Sequence, residues 1–310
     1  MGSLLERGLA EGGSAVNFRD SCAALRLASR HVLGDHRPVL LGMVLTERCN
    51  LSCSYCRSHS NPSVHFSYDE AKCALQKAYA RGHRTMYVTG GEPMLWSDGT
   101  YSLVDILAYA RKLGFFYFGV YTNGTRPLTI SDCTYFVTFD GPRQVHEQFR
   151  PDTYEQILEN VRASGSNRVF ASMMISQLNC QFVDEYVTEV ATTRLFRGIW
   201  FNLFTGTPEQ HAVWGLSAEQ RAAALDKLWQ YKKKGYPIML SRSAYKAWRS
   251  NNWPRPLRQS EICTPTGFWR CCRDIGSPEI CEECGYGACI ELSQLFDWKP
   301  TAILQAMWSA

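Results

Sequence analysis

The chain has 310 residues, a net charge of +4 from 33 basic and 29 acidic side chains, and 13 cysteines. So mild a charge excludes an extended nucleic-acid face, which needs concentrated Lys and Arg, and no apolar run reaches the roughly 18 residues of a membrane span. The first 15 residues lack the apolar core of a signal peptide, so clustered cysteines are expected to be metal ligands in a reducing cytosol, and the expected location is cytoplasmic.

Residues 1–18, rich in Gly, Ser and Ala, are expected to be a mobile start, and 19–33 show helical spacing stopped by Gly34. From there strand-like and helix-like segments alternate. Val39–Leu45 reads as a strand. Ser67–Arg81 reads as a helix, with Ser67 as N-cap and Glu70 as its capping-box partner. A strand over 85–89, a helix over 102–113 ended by Gly114 and a strand over 115–121 follow. Then come a strand over 135–139, a helix over 153–163, a strand over 169–175, a helix over 182–192, a strand over 199–204 and a helix over 217–234. Lys232-Lys233-Lys234 is read as the solvated end of that helix. Repeated strand–helix units call for a parallel sheet with right-handed crossovers. Periodicity alone fits both an open doubly wound sheet and a (β/α) barrel.

Nine of the cysteines fall into two groups, Cys49, Cys53 and Cys56, then Cys263, Cys271, Cys272, Cys281, Cys284 and Cys289. Cys22, Cys73, Cys133 and Cys180 are scattered and read as small buried hydrophobes. Four thiolates normally hold an iron–sulfur cube. Three at CxxxCxxC spacing leave one iron open to another ligand. A structural zinc would need a fourth ligand nearby, and only His59 offers itself. Catalytic groups in parallel α/β sheets gather at the carboxyl ends of strands. The polar turns here fall at those ends: the cysteine loop after the first strand, Gly90-Gly91-Glu92-Pro93, Thr122-Asn123-Gly124, Asp140-Gly141-Pro142 and Ser176-Gln177-Leu178-Asn179.

The cysteine triplet together with Gly90-Gly91-Glu92-Pro93 resembles the radical SAM (S-adenosylmethionine) enzymes. The resemblance covers 38 to about 240 and implies a partial (β/α)6 barrel. In that family the open iron of a [4Fe–4S] cluster chelates the methionine end of SAM, and reduction releases a 5′-deoxyadenosyl radical. The resemblance assigns Gly91 and Glu92, within the Gly90–Pro93 turn, to the methionine amino group. It assigns Tyr55 to the adenine, and Asn123, Asp140 and more weakly Asn179 to the ribose or methionine. Arg150 or Arg143 is expected at the carboxylate.

Phe139-Asp140-Gly141-Pro142, His146-Glu147, Arg150, Tyr154 and Ile157–Val161 are similar to a pattern of the SPASM/twitch branch, whose members carry auxiliary clusters after the barrel. This implies a second [4Fe–4S] cluster in a reduced, twitch-like region over 241–310, after an N-terminal extension over 1–37 and a barrel over 38–240. The preferred ligands are Cys263, Cys272, Cys281 and Cys284, with a short hairpin between Cys263 and Cys272. Cys271 and Cys289 are alternates, and one left unligated would be a candidate hydrogen-atom donor. A zinc site would use the same cysteines. The expected reaction begins with hydrogen abstraction from an unactivated C–H bond of a small molecule, sugar or isoprenoid lipid. Epimerisation, dehydrogenation and C–C bond formation all remain open as outcomes. The expected reductant is flavodoxin or ferredoxin. The 48 residues before Cys49 leave little room for a leader-binding domain, so a ribosomal-peptide maturase is the alternative. A non-catalytic iron–sulfur protein would need no SAM turn. Most of Trp200, Trp214, Trp229, Trp248, Trp253 and Trp269 are read as core.

Overall fold

The computed structural model describes residues 18–56, 64–271 and 278–309. The expectation for the first 17 residues, and the roles considered for His59 and Cys272, lie outside them. The chain divides into two compact units, 1–35 and 36–310. The first unit contains α1, Phe18–Val32, with Arg30 Nε 2.7 Å from Asp35 Oδ2 just past its end.

The second unit is built on β1 (Leu40–Thr46), α2 (Tyr68–Arg81), β2 (Thr85–Gly90), a small hairpin β3–β4 (Ser97–Asp98, Tyr101–Ser102) and α3 (Leu103–Leu113). It continues with β5 (Tyr117–Thr122), β6 (Thr134–Phe139), α4 (Arg143–Phe149), α5 (Tyr154–Ser164), β7 (Val169–Ile175), α6 (Val183–Thr193) and β8 (Gly198–Leu203). Then come α7 (Pro208–Trp214), α8 (Ala218–Lys233), α9 (Arg242–Arg249), β9 (Ser260–Thr264), β10 (Gly267–Arg270), α10 (Pro278–Glu282), α11 (Gly287–Phe296) and α12 (Pro300–Ser309).

Strands β1, β2, β5, β6, β7 and β8 lie side by side in sequence order, all parallel. A doubly wound sheet reverses its order at a switch point; this one does not. The sheet winds in one direction as a partial barrel whose two edges stay apart. Apolar β1, buried at all but its first residue, is a strand covered on both faces. Its helix-facing side joins a core with Leu75, Ile106, Ile157 and Val187. Phe136, Phe170, Trp200 and Met239 form a separate cluster.

Local signals set the helix starts. Ser67 Oγ accepts from Glu70 N (3.3 Å) and Glu70 Oε2 accepts from Ser67 N (2.8 Å), the expected capping box. Gly114 closes α3 in the left-handed region at φ 109°. At the end of α8, Lys233 and Lys234 are exposed as expected, but Lys232 is not solvated in the same way. Its Nζ donates to Ile238 O (2.7 Å) and Gln305 Oε1 (2.6 Å), and burial lowers its pKa.

The cysteine hairpin is found as β9–β10, and it does not stand apart. β9 pairs in parallel with β1, Leu40 opposite Ser260 and Met43 opposite Cys263, and β10 folds back antiparallel on β9. Residues on both sides of position 240 therefore share one sheet and one compact unit. At the far edge, the segment before α11 runs against β8. Leu203 N donates to Gly285 O (2.8 Å) and Gly287 N to Asn202 Oδ1 (2.9 Å). A Cβ on Gly285 would lie 2.1 Å from Leu203 O, so only glycine permits this approach.

Candidate functional site

One cavity of about 300 Å3 opens at the carboxyl ends of β1, β2 and β5 and runs inward. The three motif cysteines, Tyr55, Gly90, Gly91, Asn123 and Arg150 line one part, and Ser172, Met174, Asn202, Cys271 and Cys289 line another. The cysteine loop is fixed by its neighbour, the glycine turn. Gly91 N donates to Thr46 O and Glu92 N to Arg48 O, both at 2.8 Å. A Cβ on Gly90, at φ 135°, would sit 2.2 Å from Thr46 O, and one on Gly91 2.2 Å from Arg48 O. The glycines were expected to admit a ligand. Their first role in the structure is to admit the backbone of the cysteine loop.

Glu92 is fully buried and does not line the cavity. Its Oε1 accepts from Met94 N (3.0 Å) and Thr122 Oγ1 (2.8 Å), and its Oε2 from Asn123 N (2.7 Å). Burial raises its pKa against those three hydrogen bonds. The carboxylate thereby ties the β2 turn, including Pro93 at the start of a short 3-10 turn, to the end of β5. Asn123 continues the network: its Nδ2 donates to Asn50 Oδ1 (3.0 Å) and points at Cys49 Sγ (3.7 Å), while its Oδ1 accepts from Thr125.

Asp140, at the end of β6, is 1 % exposed. Arg150 Nε donates to its Oδ2 at 2.5 Å and the Tyr55 hydroxyl to its Oδ1 at 2.5 Å; Arg150 Nη2 donates to the same hydroxyl at 2.7 Å. Phe149 and Trp214 meet the Tyr55 ring edge-on, with centroids 5.9 and 6.0 Å away. Tyr55 thus anchors the cysteine loop to the opposite wall. Of the two arginines considered, Arg150 faces the cavity, whereas Arg143 pairs with exposed Glu155 on the surface. Asn179 joins two strand ends: its Nδ2 donates to Asp140 O (2.9 Å) and Met174 O (3.0 Å). It does not line the cavity.

Burial raises the pKa of Cys49 and pushes Cys53 up to about 11. Three thiols share a partly buried cavity wall, and Arg150, which also lines it, is already paired with Asp140. Such a donor set gains from a soft metal group that takes up thiolates. Among the described residues no three His, Cys, Asp or Glu side chains converge on one point at metal distance. The fit to an iron–sulfur cluster rests on donor chemistry and the shared cavity.

The second cysteine group is arranged differently from the expected set. Cys271 Sγ lies 3.9 Å from Cys289 Sγ, and Cys284 hydrogen-bonds to Cys289 as well. These shared bonds lower Cys271 and Cys284 and raise Cys289. Cys271 reaches the group through a left-handed backbone, φ 70°. Cys263 does not join them. Ile262 lines the cavity, so its neighbour Cys263 points to the other face of β9, near Lys77 and Arg81 of α2. Cys281 is half-buried on α10, just before Cys284.

Sequence reading missed Thr122, His146, Asn202 and Tyr286. His146 accepts from Asp140 N (3.3 Å) through Nδ1 and meets Thr153 Oγ1 through Nε2 (2.9 Å). Thr122 ended a strand and His146 stood in the quoted pattern, so both carried a signal. Nothing local marked Asn202 or Tyr286.

The fold and site define a parallel α/β partial barrel with a three-cysteine loop at the carboxyl end of its first strand. Residues 43–176 match the model of the Radical SAM superfamily. AdoMet-dependent heme synthase of Oleidesulfovibrio alaskensis is 28% identical over 138 residues, 39% of this chain and 34% of that protein. The 7-carboxy-7-deazaguanine synthase of Bacteroides thetaiotaomicron is 40% identical over 80 residues, 26% of this chain and 39% of that protein. The chain thus spans less than half the length of these curated relatives. Among solved structures, Streptococcus suis SuiB bound to S-adenosylmethionine shares the fold with a TM-score of 0.59 at 13% identity, covering 91% of this chain and 72% of that one. Native anSMEcpe with bound AdoMet and Cp18Cys peptide does so at 0.50 and 17% identity, covering 65% and 63%. No helix among the described residues is long and apolar enough to cross a membrane.

Proposed function

We propose that the chain is a radical SAM enzyme that abstracts hydrogen from an unactivated C–H bond of an uncharged organic substrate. The observation that carries this reading is the single cavity joining the cysteine loop to the polar barrel interior. Cys49, Cys53 and Cys56 would hold the [4Fe–4S] cluster. When bound, that cluster supplies one electron for reductive cleavage of SAM to a 5′-deoxyadenosyl radical. Gly90, Gly91, Asn123, Tyr55 and Arg150 line the space for SAM; Glu92, Pro93, Asp140 and Asn179 lie behind them and hold their positions. Among the described residues the cavity lining contains no Asp, Glu or Lys, and Arg150 is already paired. Beyond the methionine end of SAM, whose amino and carboxylate groups the cluster's open iron would take up, a charged substrate group would find no free partner among those residues, at a cost of several kcal/mol. A small polyol, sugar or isoprenoid therefore suits the site better than a phosphate or free amino acid.

A peptide is the second reading, favoured by the likeness to anSMEcpe, whose structure holds one; an uncharged stretch of main chain also fits an uncharged cavity. A purely electron-carrying protein would need no such cavity beside its ligands. For an auxiliary cluster the hydrogen-bonded thiols of Cys271, Cys284 and Cys289 are the better ligands, completed by Cys281 or Cys272. A thiol of Cys271 or Cys289 left free would face the cavity as a hydrogen donor. The test is anaerobic reconstitution followed by SAM and dithionite. Release of 5′-deoxyadenosine, abolished in Cys53→Ala, is expected. Undiminished release in that variant would overturn the reading.

A further inference from the structure

A second recess, of about 430 Å3, lies at the foot of β1 and β9, and it is basic. His36, Pro38, Arg81, Arg258, Glu261 and Arg270 line it. Arg81, at the end of α2, grips Glu261 with two hydrogen bonds, Nε to Oε2 at 2.8 Å and Nη2 to Oε1 at 2.5 Å. Its guanidinium also covers the half-buried ring of Phe268, 5.1 Å from the centroid. Glu261 therefore offsets one positive charge of the recess. Arg258 and Arg270 are exposed and pair with no acid among the described residues. Among the described residues the recess thus sets one carboxylate against three guanidiniums, on α2, on the loop before β9 and at the end of β10. Arg270 stands opposite Glu261 in the hairpin register, and the next residue is Cys271, hydrogen-bonded to Cys289.

We infer that this face docks a small acidic electron-carrier protein of the flavodoxin or ferredoxin kind. The inference rests on the proposed radical chemistry, which consumes one electron per SAM cleaved. The carrier loses that electron, an iron–sulfur centre of this chain gains it, and no atom is transferred. A free phosphate suits the recess less well, because the Glu261 carboxylate forms part of its wall and repels a closely packed anion. Guanidiniums spread over a helix, a loop and a strand edge match the separated carboxylates of a protein surface, and Phe268 adds an apolar contact between them. Docking here sets the carrier beside the strand that leads into Cys271.

The test uses the reconstituted protein, oxidised flavodoxin as the binding probe, and the double variant Arg258→Glu/Arg270→Glu. Titration of flavin fluorescence should give a dissociation constant that rises about tenfold or more between low salt and 0.3 M salt. The double variant should bind about tenfold more weakly at low salt. Its SAM cleavage driven by reduced flavodoxin should fall in step, while cleavage driven by dithionite stays at the wild-type level. Lys233→Glu/Lys234→Glu, on the other basic run, should change neither. Wild-type binding by the Arg258/Arg270 variant overturns the inference, as does equal loss in the Lys233/Lys234 variant. Complete displacement of flavodoxin by 10 mM phosphate identifies a small-anion site and also overturns it. A fall in dithionite-driven cleavage along with the flavodoxin-driven rate marks structural damage; the milder Arg258→Gln/Arg270→Gln variant must then separate the two rates, and failure to do so overturns the inference. If wild-type protein cleaves no SAM with dithionite, the proposed enzymatic function fails, whereas the binding arm still decides the docking face.

Discussion

Arg150 and Asp140 form a buried ion pair, Nε to Oδ2 at 2.5 Å, with side chains 8% and 1% exposed. The pair sits where the end of β6 meets the cysteine loop, and the Tyr55 hydroxyl completes it. Removing one partner leaves a buried charge alone, which typically costs about 3–5 kcal/mol. Arg150→Ala should therefore lower the stability of the metal-free chain in urea by about that much. Tyr55→Phe removes only hydrogen bonds and should cost about 1–2 kcal/mol. Equal small losses in both variants would show that the pair is not the anchor.

Gly91→Ala should dislodge the cysteine loop, because the added Cβ would meet the Arg48 carbonyl at 2.2 Å. Backbone on both sides of the contact leaves nothing flexible to yield. The expected result is loss of about four irons per chain after reconstitution, with the rest of the fold intact by circular dichroism. Full iron in this variant would mean the loop can shift without losing its ligands.

The two cysteine faces of β9 make a separate prediction. Cys284→Ala should lose the iron or zinc of the second group, whereas Cys263→Ala should keep it, since Cys263 points toward α2. Filling the Cys263 site with alanine should cost only about 1–2 kcal/mol of stability. Metal analysis of both variants decides; metal lost only in Cys263→Ala would restore the ligand set expected from spacing.

His146 is buried, and that burial holds its pKa down to about 4, against an unfolded value near 6.5. Between these values the unfolded chain binds the extra proton, so stability rises with pH across that window and is lost as pH falls from about 6.5 toward 4. The change should reach about 3 kcal/mol in the metal-free chain. His146→Gln should flatten the profile there, as followed by urea midpoints at several pH values. An unchanged slope would assign the pH dependence to other groups.

How much was legible in the sequence differs from part to part. The six strands were found within two residues of their ends because buried parallel strands read as apolar runs, and the Ser67 cap because capping is local. The cysteine loop and the glycine turn were legible for the same reason, each motif lying within a few consecutive residues. Tertiary structure decided the rest. Whether the glycines admit a ligand or a backbone depends on Thr46 and Arg48, more than 40 residues earlier. Glu92 and Asp140 were read as ligand contacts from their motifs; that Glu92 bonds to the end of β5, and Asp140 to Arg150 and Tyr55, only the fold shows. The grouping of Cys271 with Cys284 and Cys289, and the exclusion of Cys263, follow from the pleat of β9 and from α11 lying against β8. Spacing cannot encode such relations, because a strand sends adjacent residues to opposite faces and only the completed sheet determines which face meets the cavity.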